Sequence, residues 1–594
     1  CQGDLLERPD TSGTIDLDKV FSSAVTAEEN LAATDRLALG HGLPGGGLSF
    51  YHGTYANISG ERLRGWDWHV TYEIAISGLK VGYDKNAESA GSDNFNNTWA
   101  AIRACYIIKD YIDRVPDMDA TMKGYIKAEA TALIAYRYMG MFYRYGGMPI
   151  VRKAFKPGDN MNIERASLGD MLQFILDLCD EAYNGLPEVW ETKYTGRMTK
   201  GAVLAIKART LQFAARPLFN STTPYLSNGK ADRMICFGNK DEQRWRDAID
   251  AHEAVLAWAA ANGCSLIDTG LAGLGQPNPN SLIDYGNAVS LPGNREMILA
   301  YKYYAVSNTR DDNRLALWNN TSSYITHDRW ETEKCGLPTC FLELYYSRDG
   351  TTPNWPKPGE PAPTAPSVWT DNIAGMEDRF RADWLVPFAD NYSNPGDNKW
   401  NLAGWGRMPA KVFSGATFPN PESTRGTGAG SSTKFYYMAG SRTWFEMPLF
   451  RLAETYLSLA EAYNEIGQAT QALAALNMVH NRAGLPAITE TDKGKLAQII
   501  QREKAIEFYA ENHRYFDVKH WKHSDIDNGI IGGPIRELQF LSTTSNQSTM
   551  YLPGNLASFW DMVAYNSYWH PKMYLEPIPR VEVNKGYITQ NPGY

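Results

Sequence analysis

Near the C-terminus, apolar side chains recur every three or four residues, which is the pattern of an amphipathic helix. The pattern predicts helices over residues 449–466, 468–482 and 495–511. Gly467 can end the first of these, and Gly484 with Pro486 beyond it can end the second. We expect the first two helices to form a tight hairpin, and the run at 512–517 to cap the bundle.

A second helical region lies upstream. Helices are predicted from residue 97 onwards and over 118–145, where Gly146 and Gly147 follow. Ser167 and Thr199 are suited to cap two further helices, because a hydroxyl can accept from the free backbone N–H groups of a first turn. A fifth helix is predicted over 245–261, without an immediate helical neighbour.

The helical pattern fails elsewhere. Residues 2–60 have little periodicity and a glycine-rich stretch, so we expect a tether and loops there, and exposed loops from residue 60 to 97. Between 264 and 444, Gly, Pro, Asn and Trp dominate, with a strand-like piece at 296–304. The pattern divides the chain into 1–60 (tether and loops), 61–262 (helices and candidate ligand loops), 263–444 (an irregular subdomain) and 445–594 (completion of the helical scaffold).

In the C-terminal third, the identities of the residues point to a protein family more specifically than the periodicity does. FRLAETYLSLAEAYNEIG, IIQREKAIEFYAENHRYFDVKHWK and the ending YLEPIPRVEVNKGYITQNPGY resemble the SusD/RagB family, surface lipoproteins of Bacteroidota that bind nutrients. Tyr463, Gly467 and Ala472 also keep the spacing of a tetratricopeptide unit. The resemblance implies a mostly α, SusD-like fold: four tetratricopeptide-like helix pairs form a scaffold with an inserted irregular subdomain, and the fifth helix pairs with 449–466.

Composition narrows the class of protein. The formal net charge is −9 and the sequence has no long basic block, which argues against a nucleic-acid partner. Cys105 and Cys179 lie on apolar helical faces, as buried free thiols do, and Cys335 and Cys340 are close enough for a small disulfide loop. No ligand spacing for zinc and no cofactor fingerprint occurs, so we expect neither metal nor cofactor.

The first residue, Cys1, is where a mature bacterial lipoprotein begins. A diacylglycerol on the Cys1 sulfur and an acyl chain on its amine would anchor the chain stably, because stable anchoring takes at least two acyl chains. The resemblance implies an outer-membrane, cell-surface lipoprotein that delivers oligosaccharide or polysaccharide, as a lid, to a SusC-like TonB-dependent barrel. Other surface glycan-binding proteins and glycoside hydrolases would be further partners.

Aromatic residues are the compositional clue to a ligand: the chain has 17 Trp, 34 Tyr and 21 Phe. Any one of them could be core packing, but several in an arc can bind a sugar. The resemblance implies that the ligand site lies in the loops before the first hairpin and in the irregular subdomain. The candidate ligand-binding residues there are Trp66, Asp67, Trp68, Tyr83, Trp318, Tyr324 and Trp330, with Arg64 and Asn96 as hydrogen-bond donors.

An enzyme is not indicated. Carboxylates such as Asp67, Asp93, Glu296 and Asp378 are plentiful, but the sequence cannot place the pair that a glycosidase needs, and no hydrolase, metalloprotease or P-loop motif occurs. Two alternatives to a glycan binder stay open. One is a RagB-like peptide binder for the same kind of transporter, and the other is a tetratricopeptide-type scaffold that binds only protein.

Overall fold

A computed structural model gives the structure of the protein. It describes residues 17–40, 55–63, 70–79, 95–270, 275–305, 336–358, 360, 364–386, 388, 429–432, 434, 444–522, 531–544 and 554–594. Helices dominate this part of the chain. The helices of six residues or more are α1 (Ala24–Leu39), α2 (Val70–Ser77), α3 (Phe95–Tyr111), α4 (Ala120–Tyr145), α5 (Leu168–Gly185), α6 (Lys200–Ala215), α7 (Gln243–Ala261), α8 (Ser281–Ser290), α9 (Pro366–Gly375), α10 (Asp378–Asp383), α11 (Leu452–Glu465), α12 (Ala469–Arg482), α13 (Lys493–Glu507) and α14 (Arg514–His520).

The strands form two-stranded antiparallel pairs. They are β1 (Met297–Ala305) with β4 (Trp444–Arg451), β2 (Trp384–Leu385) with β3 (Ser431–Ser432), and β5 (Gly533–Ser542) with β6 (Leu556–Ser567). In the first pair, Met297 lies opposite Arg451 and Tyr301 lies opposite Met447. This pair joins the irregular region to the start of the C-terminal helices.

The helix boundaries follow from local chemistry. Ser167 Oγ accepts from the backbone N–H of Asp170 at 3.0 Å, and Thr199 Oγ1 accepts from that of Ala202 at 3.2 Å, so both predicted caps are confirmed. Gly146 follows α4 with φ +80°, a conformation that favours glycine.

The helical scaffold is built by successive neighbours. α4 packs between α3 and α5, α6 packs on α5 and α7, α7 packs on α11, and α11 packs on α12. The core side chains at these contacts are buried, for example Leu133, Ile206 and Leu457. The mostly α fold and the pairing of the fifth helix with the first C-terminal helix are confirmed. The tetratricopeptide character of the pairs and the domain boundaries stay predictions.

Several expectations from the pattern are wrong. Residues 449–451 continue β4, because their backbone pairs with β1, and the helix begins only at Leu452. The stretch expected as a tether contains α1, whose Ala27, Leu31 and Ala38 are buried against α3 and α4. The stretch expected as exposed loops contains α2.

Two further differences lie near the C-terminus. The helix predicted to reach residue 511 ends at Glu507, and the aromatic run after it forms α14, which is buried in the core. The β5–β6 hairpin has no counterpart in the predicted elements. Cys105 and Cys179 are buried free thiols, as expected, whereas the pairing of Cys340 with Cys335 falls outside the described residues. No helix in the described ranges has an apolar stretch long enough to span a membrane.

Candidate functional site

Three distant segments of the chain meet through backbone hydrogen bonds at a place that we call the loop junction, formed by Leu63, Gly336, Leu337, Ala429 and Gly430. The N–H of Leu63 donates to the carbonyl of Gly336 at 3.0 Å. The N–H of Leu337 donates to the carbonyl of Gly430, and the N–H of Ala429 donates to the carbonyl of Leu337, both at 2.9 Å. The junction is therefore a small ladder assembled from residues far apart in sequence.

The segments of sequence that carry most of the predicted ligand residues border this junction. Residues 64–69 follow Leu63, residues 306–335 precede Gly336, and residues 389–428 precede Ala429. Eight of the nine predicted ligand residues lie outside the described residues, as does Cys1; the eight are Arg64, Trp66, Asp67, Trp68, Tyr83, Trp318, Tyr324 and Trp330. Asn96 is described and is exposed on the first turn of α3, beside Phe95, whose ring packs on Tyr145.

The first segment of the junction, residues 55–63, is held by its own polar groups. Asn57 Nδ2 donates to the carbonyl of Leu63 at 2.7 Å, and the N–H of Arg62 donates to that of Ala56 at 2.9 Å. Glu61 Oε1 accepts from the N–H of Ala510 at 3.0 Å. Burial raises the pKa of Glu61, although the hydrogen bonds from Ser59 and Ala510 oppose the shift. The loop base is thus fixed to the turn after α13.

The second segment is tied to the β5–β6 hairpin. Thr339 Oγ1 donates to Asp561 Oδ1 at 2.7 Å, three residues after Gly336. Arg536 on β5 pairs with Asp561 at 2.7 Å and also with Glu343. A bridge between Thr364 and Phe559 adds a third connection. The hairpin therefore supports the second segment of the junction, whereas the first segment is fixed by its contact with Ala510.

A buried network of charges lies between the inserted region and the scaffold. Within the described residues it contains four cations and five carboxylates, with His480 beside Glu503, and the exposed fraction of each side chain is at most 1%. Its members are Glu296, Glu377, Arg379, Lys434, Arg451, His480, Arg482, Glu503, Glu507 and Glu511.

The network joins elements that are far apart in sequence. Arg451, at the end of β4, reaches Glu296 at 3.0 Å, Glu507 at 2.7 Å and Glu511 at 2.8 Å. Lys434, four residues after Gly430 of the junction, donates to Glu511 at 2.7 Å. The network therefore connects the base of the inserted loops to α13 and to the turn after it.

Three carboxylates of the network, those of Glu503, Glu507 and Glu511, have lowered pKa values because cations lie beside them. Burial alone would raise the pKa of Glu503, but Arg379 and His480 beside it lower that pKa to about 2. Burial likewise opposes ionisation of Glu507, and Arg482, Arg451 and Arg379 together hold its pKa below the usual value. Glu296, a carboxylate considered above for catalysis, is occupied by Arg451 and Arg482.

Asp383 is a contrasting buried carboxyl beside the network. Its oxygens accept from the hydroxyl groups of Tyr285 and Tyr345, at 3.0 and 2.9 Å. Burial raises its pKa to about 7, because Lys434 and the two tyrosines lower it by less than burial raises it. This group changes its charge near neutral pH, unlike Glu503 and Glu507, whose pKa values are lowered.

A small cavity lies beside Tyr55, at the start of the 55–63 loop. Its volume is about 70 Å³, and its walls include Arg209, Asn512 and His513. Ligand pockets in proteins are generally about 300 Å³ or more, so this cavity is too small for a sugar ring. Within the described residues, no cluster of three or more His, Cys, Asp or Glu side chains could bind a metal ion.

The predicted ligand residues and the described structure contribute different parts of the candidate site. The sequence indicates aromatic residues as ligand contacts, whereas the described structure shows the backbone ladder that borders their segments. The network residues Arg379, Lys434 and Glu507 were missed. A charged residue in an otherwise apolar window, such as Arg451 after Met447–Phe450 or Glu507 after Ile506, was the available signal.

Comparison with known proteins gives two matching family models. The model described as the SusD family matches residues 295–594, and the model described as starch-binding and associating with the outer membrane matches residues 72–211. A SusD-like protein of Formosa agariphila is 33% identical over 421 residues, which cover 68% of this chain and 68% of that protein.

Solved structures are similar over nearly the whole chain. A SusD-like protein from Bacteroides fragilis aligns with a TM-score of 0.73 at 21% identity, covering 98% of this chain and all of that one. A laminarin-binding SusD-like protein aligns with a TM-score of 0.52 at 17% identity, covering 97% of this chain and all of that one. At these identities the structures establish a shared fold.

Proposed function

The chain belongs to the SusD family, and we propose that it is a cell-surface glycan-binding protein whose ligand site is formed by the loops that extend from the loop junction. It binds oligosaccharide and does not catalyse its cleavage. The single observation that carries this proposal is the junction itself, because it gathers the bases of loops from two predicted ligand regions that are far apart in sequence.

Chain length supports a shared site. Trp66 is three residues beyond Leu63, and Trp330 is six residues before Gly336. A chain spans at most about 3.6 Å per residue, so both tryptophans are within reach of the junction, where Leu63 N and Gly336 O are 3.0 Å apart. The aromatic residues of the two loops can therefore contact one ligand.

Affinity would come from several rings together. Burying roughly 40 Å² of apolar sugar surface at about 25 cal/mol per Å² gives about 1 kcal/mol for one stacked ring. Micromolar binding needs about 8 kcal/mol, so several rings and polar partners such as Asp67, Arg64 and Asn96 must act on the same glycan. A micromolar affinity permits the protein both to capture the glycan and to release it.

The partners follow from the family. The matched model described as associating with the outer membrane supports an outer-membrane location, with lipidation at Cys1 as the proposed anchor. In this proposal the protein works as a lid that delivers glycan to a SusC-like TonB-dependent barrel. The helical scaffold contacts the barrel, and the loop junction faces the ligand. The glycan-binding property of the laminarin-binding relative is consistent with this assignment.

The test is calorimetry of the chain without its lipid against a panel of plant, microbial and host polysaccharides and a peptide digest. We expect one glycan to bind, and Trp66→Ala or Trp318→Ala to weaken its affinity by tenfold or more. Tyr463→Ala is the matched control, because Tyr463 is an aromatic residue of the scaffold that contacts Glu253 across α7 and α11. It should leave the affinity unchanged.

Other outcomes would overturn the proposal. Binding only to peptides would assign the protein to peptide uptake, as in the RagB branch of the family. An equal loss of glycan affinity in the Tyr463 control would place the ligand on the scaffold instead of the loops.

A further inference from the structure

A second, larger cavity is lined by none of the loop-junction residues and lies between the loop joining α5 to α6, the C-terminal end of α7, and β1. Its volume is about 270 Å³. Pockets for drug-sized ligands are generally about 300 Å³ or more. This pocket is slightly smaller, so it has room for a small ligand such as one sugar unit. Its walls include Trp190, Arg197, Trp258, Arg295, Lys302 and Glu446.

The aromatic wall of this pocket is held rigidly. Trp190 Nε1 donates to the carbonyl of Met198 at 2.6 Å, and the Arg197 guanidinium lies 4.3 Å from the centre of its ring. The ring of Trp258 lies against Gly201, where any Cβ would come within 2.4 Å of it. The two indoles are therefore fixed in place without a ligand, which reduces the entropy lost on binding.

The charged groups of the pocket differ in how they are satisfied. Arg197 pairs with Glu129, and Lys302 pairs with Glu446 at 3.3 Å and donates to the carbonyl of Thr195 at 3.0 Å. Arg295 donates to the carbonyl of Leu266 at 3.1 Å, and among the described residues it has no carboxylate partner.

We propose that this pocket is a second carbohydrate-binding site and that it takes a sugar unit bearing a carboxylate or sulfate group, with Arg295 as the partner of the anion. A guanidinium presents a planar fork of donors that matches such groups. Trp190 supplies the apolar wall that a sugar ring requires. The site is separate from the loop junction and does not depend on the function proposed for it.

Charge complementarity favours an anionic unit over a neutral one. Three cations and one carboxylate line the pocket, and Glu129 neutralises one of the cations, so a net positive charge remains. The whole chain, in contrast, carries a formal net charge of −9. An anion is therefore attracted to this pocket although the protein as a whole repels it.

The test uses the full chain and three trisaccharides: trigalacturonate, a sulfated galactotriose and neutral galactotriose, titrated by calorimetry at low and high salt. We expect one of the two anionic sugars to bind more tightly than the neutral one, and high salt to weaken that binding. Arg295→Gln should reduce its affinity about tenfold or more, as expected for loss of a hydrogen bond to a charged group. Preference for the uronate or for the sulfate identifies the natural group.

The controls separate this site from others. Arg233→Gln changes an exposed arginine outside the pocket and should leave affinity unchanged. The double variant Trp66→Ala, Trp318→Ala should retain binding of the anionic trisaccharide, which distinguishes failure of this proposal from failure of the loop site. Equal binding of the neutral sugar, insensitivity to salt, or unchanged affinity in Arg295→Gln would overturn the proposal.

Discussion

The contacts within the helical scaffold and those that join the inserted region to it differ in their balance of apolar and charged groups. In the scaffold, apolar side chains at helical spacing, such as Leu133 on α4 and Ile206 on α6, are buried between neighbouring helices. The inserted region is joined to the scaffold by aromatic packing, such as Trp384 on Tyr509, and in addition by the buried charge network around Arg451 and Glu507. Apolar packing tolerates many substitutions of similar volume, whereas a buried charge depends on each of its partners. The inserted region should therefore be the more fragile of the two.

The sharpest test of this contrast is Arg451→Met. The change leaves Glu296, Glu507 and Glu511 without their shared cation, so we expect a loss of about 3–5 kcal/mol in the free energy of unfolding. Urea denaturation measures it. Arg246→Met is the control, because Arg246 on α7 forms an exposed pair with Glu242, the residue just before that helix, and such pairs contribute about 1 kcal/mol or less. Equal effects of the two changes would show that the network does not join the regions.

A large-to-small substitution in the scaffold should have a somewhat smaller effect. Leu133→Ala removes a fully buried side chain of α4, and we expect a loss of about 2–4 kcal/mol in the free energy of unfolding. Leu133→Met nearly conserves the volume and should cost less than about 1.5 kcal/mol. A loss for Leu133→Ala no greater than that for Leu133→Met would contradict close packing at this position.

The charge network also has a distinct dependence on pH. The pKa of Asp383 is raised to about 7 in the folded protein, so its contribution to stability is present at low pH and is lost as the pH rises through 7. The pKa of Glu503 is lowered to about 2, so its contribution is present above about pH 4.5 and is lost as the pH falls towards 2.

Asp383→Asn isolates the first of these effects. Between pH 5 and pH 8 the wild type should lose roughly 2–3 kcal/mol more stability than the variant, from linkage of the Asp383 proton to folding. Urea midpoints across this range measure the difference between the two proteins, which cancels the titration of other groups. Parallel pH profiles for wild type and variant would rule out a raised pKa at Asp383.

The smallest expected effect is at the turn that binds the 55–63 loop. Ala510 has φ +57°, in the left-handed region that disfavours residues with a Cβ. Ala510→Gly should therefore stabilise the protein by roughly 0.5–1 kcal/mol. Ala100→Gly, at an exposed position inside α3, should instead destabilise by about 1 kcal/mol. Thermal denaturation compares the two, and destabilisation by both would contradict strain at Ala510.

The extent to which each region could be predicted follows from the range of its interactions. The caps at Ser167 and Thr199 were predictable, because each is satisfied within three residues. Residues 449–451 were wrongly predicted as helix. Their partner strand β1 lies about 150 residues away in sequence, so the local pattern of apolar residues could not reveal the pairing. The charge network was not predictable for the same reason, since Arg482 reaches Glu296 across 186 residues.

For the candidate site, the sequence leads to a prediction of the chemistry, which stays a prediction, and it does not encode the assembly of the loop junction. Aromatic residues such as Trp66 and Trp330 could be singled out by their position in loops. That their loop bases meet depends on backbone hydrogen bonds of Leu63 and Leu337, which any residue except proline can donate. No side-chain pattern encodes such bonds.

Amide hydrogen exchange with and without the glycan identified by calorimetry tests the central claim most directly, because it compares the loops with the scaffold in one experiment. We predict that bound glycan slows exchange in residues 64–69 and 306–335 and leaves α4, α5 and α6 unchanged. Slower exchange confined to the scaffold helices, with no change in those two loops, would contradict the assignment of the ligand to the loop junction.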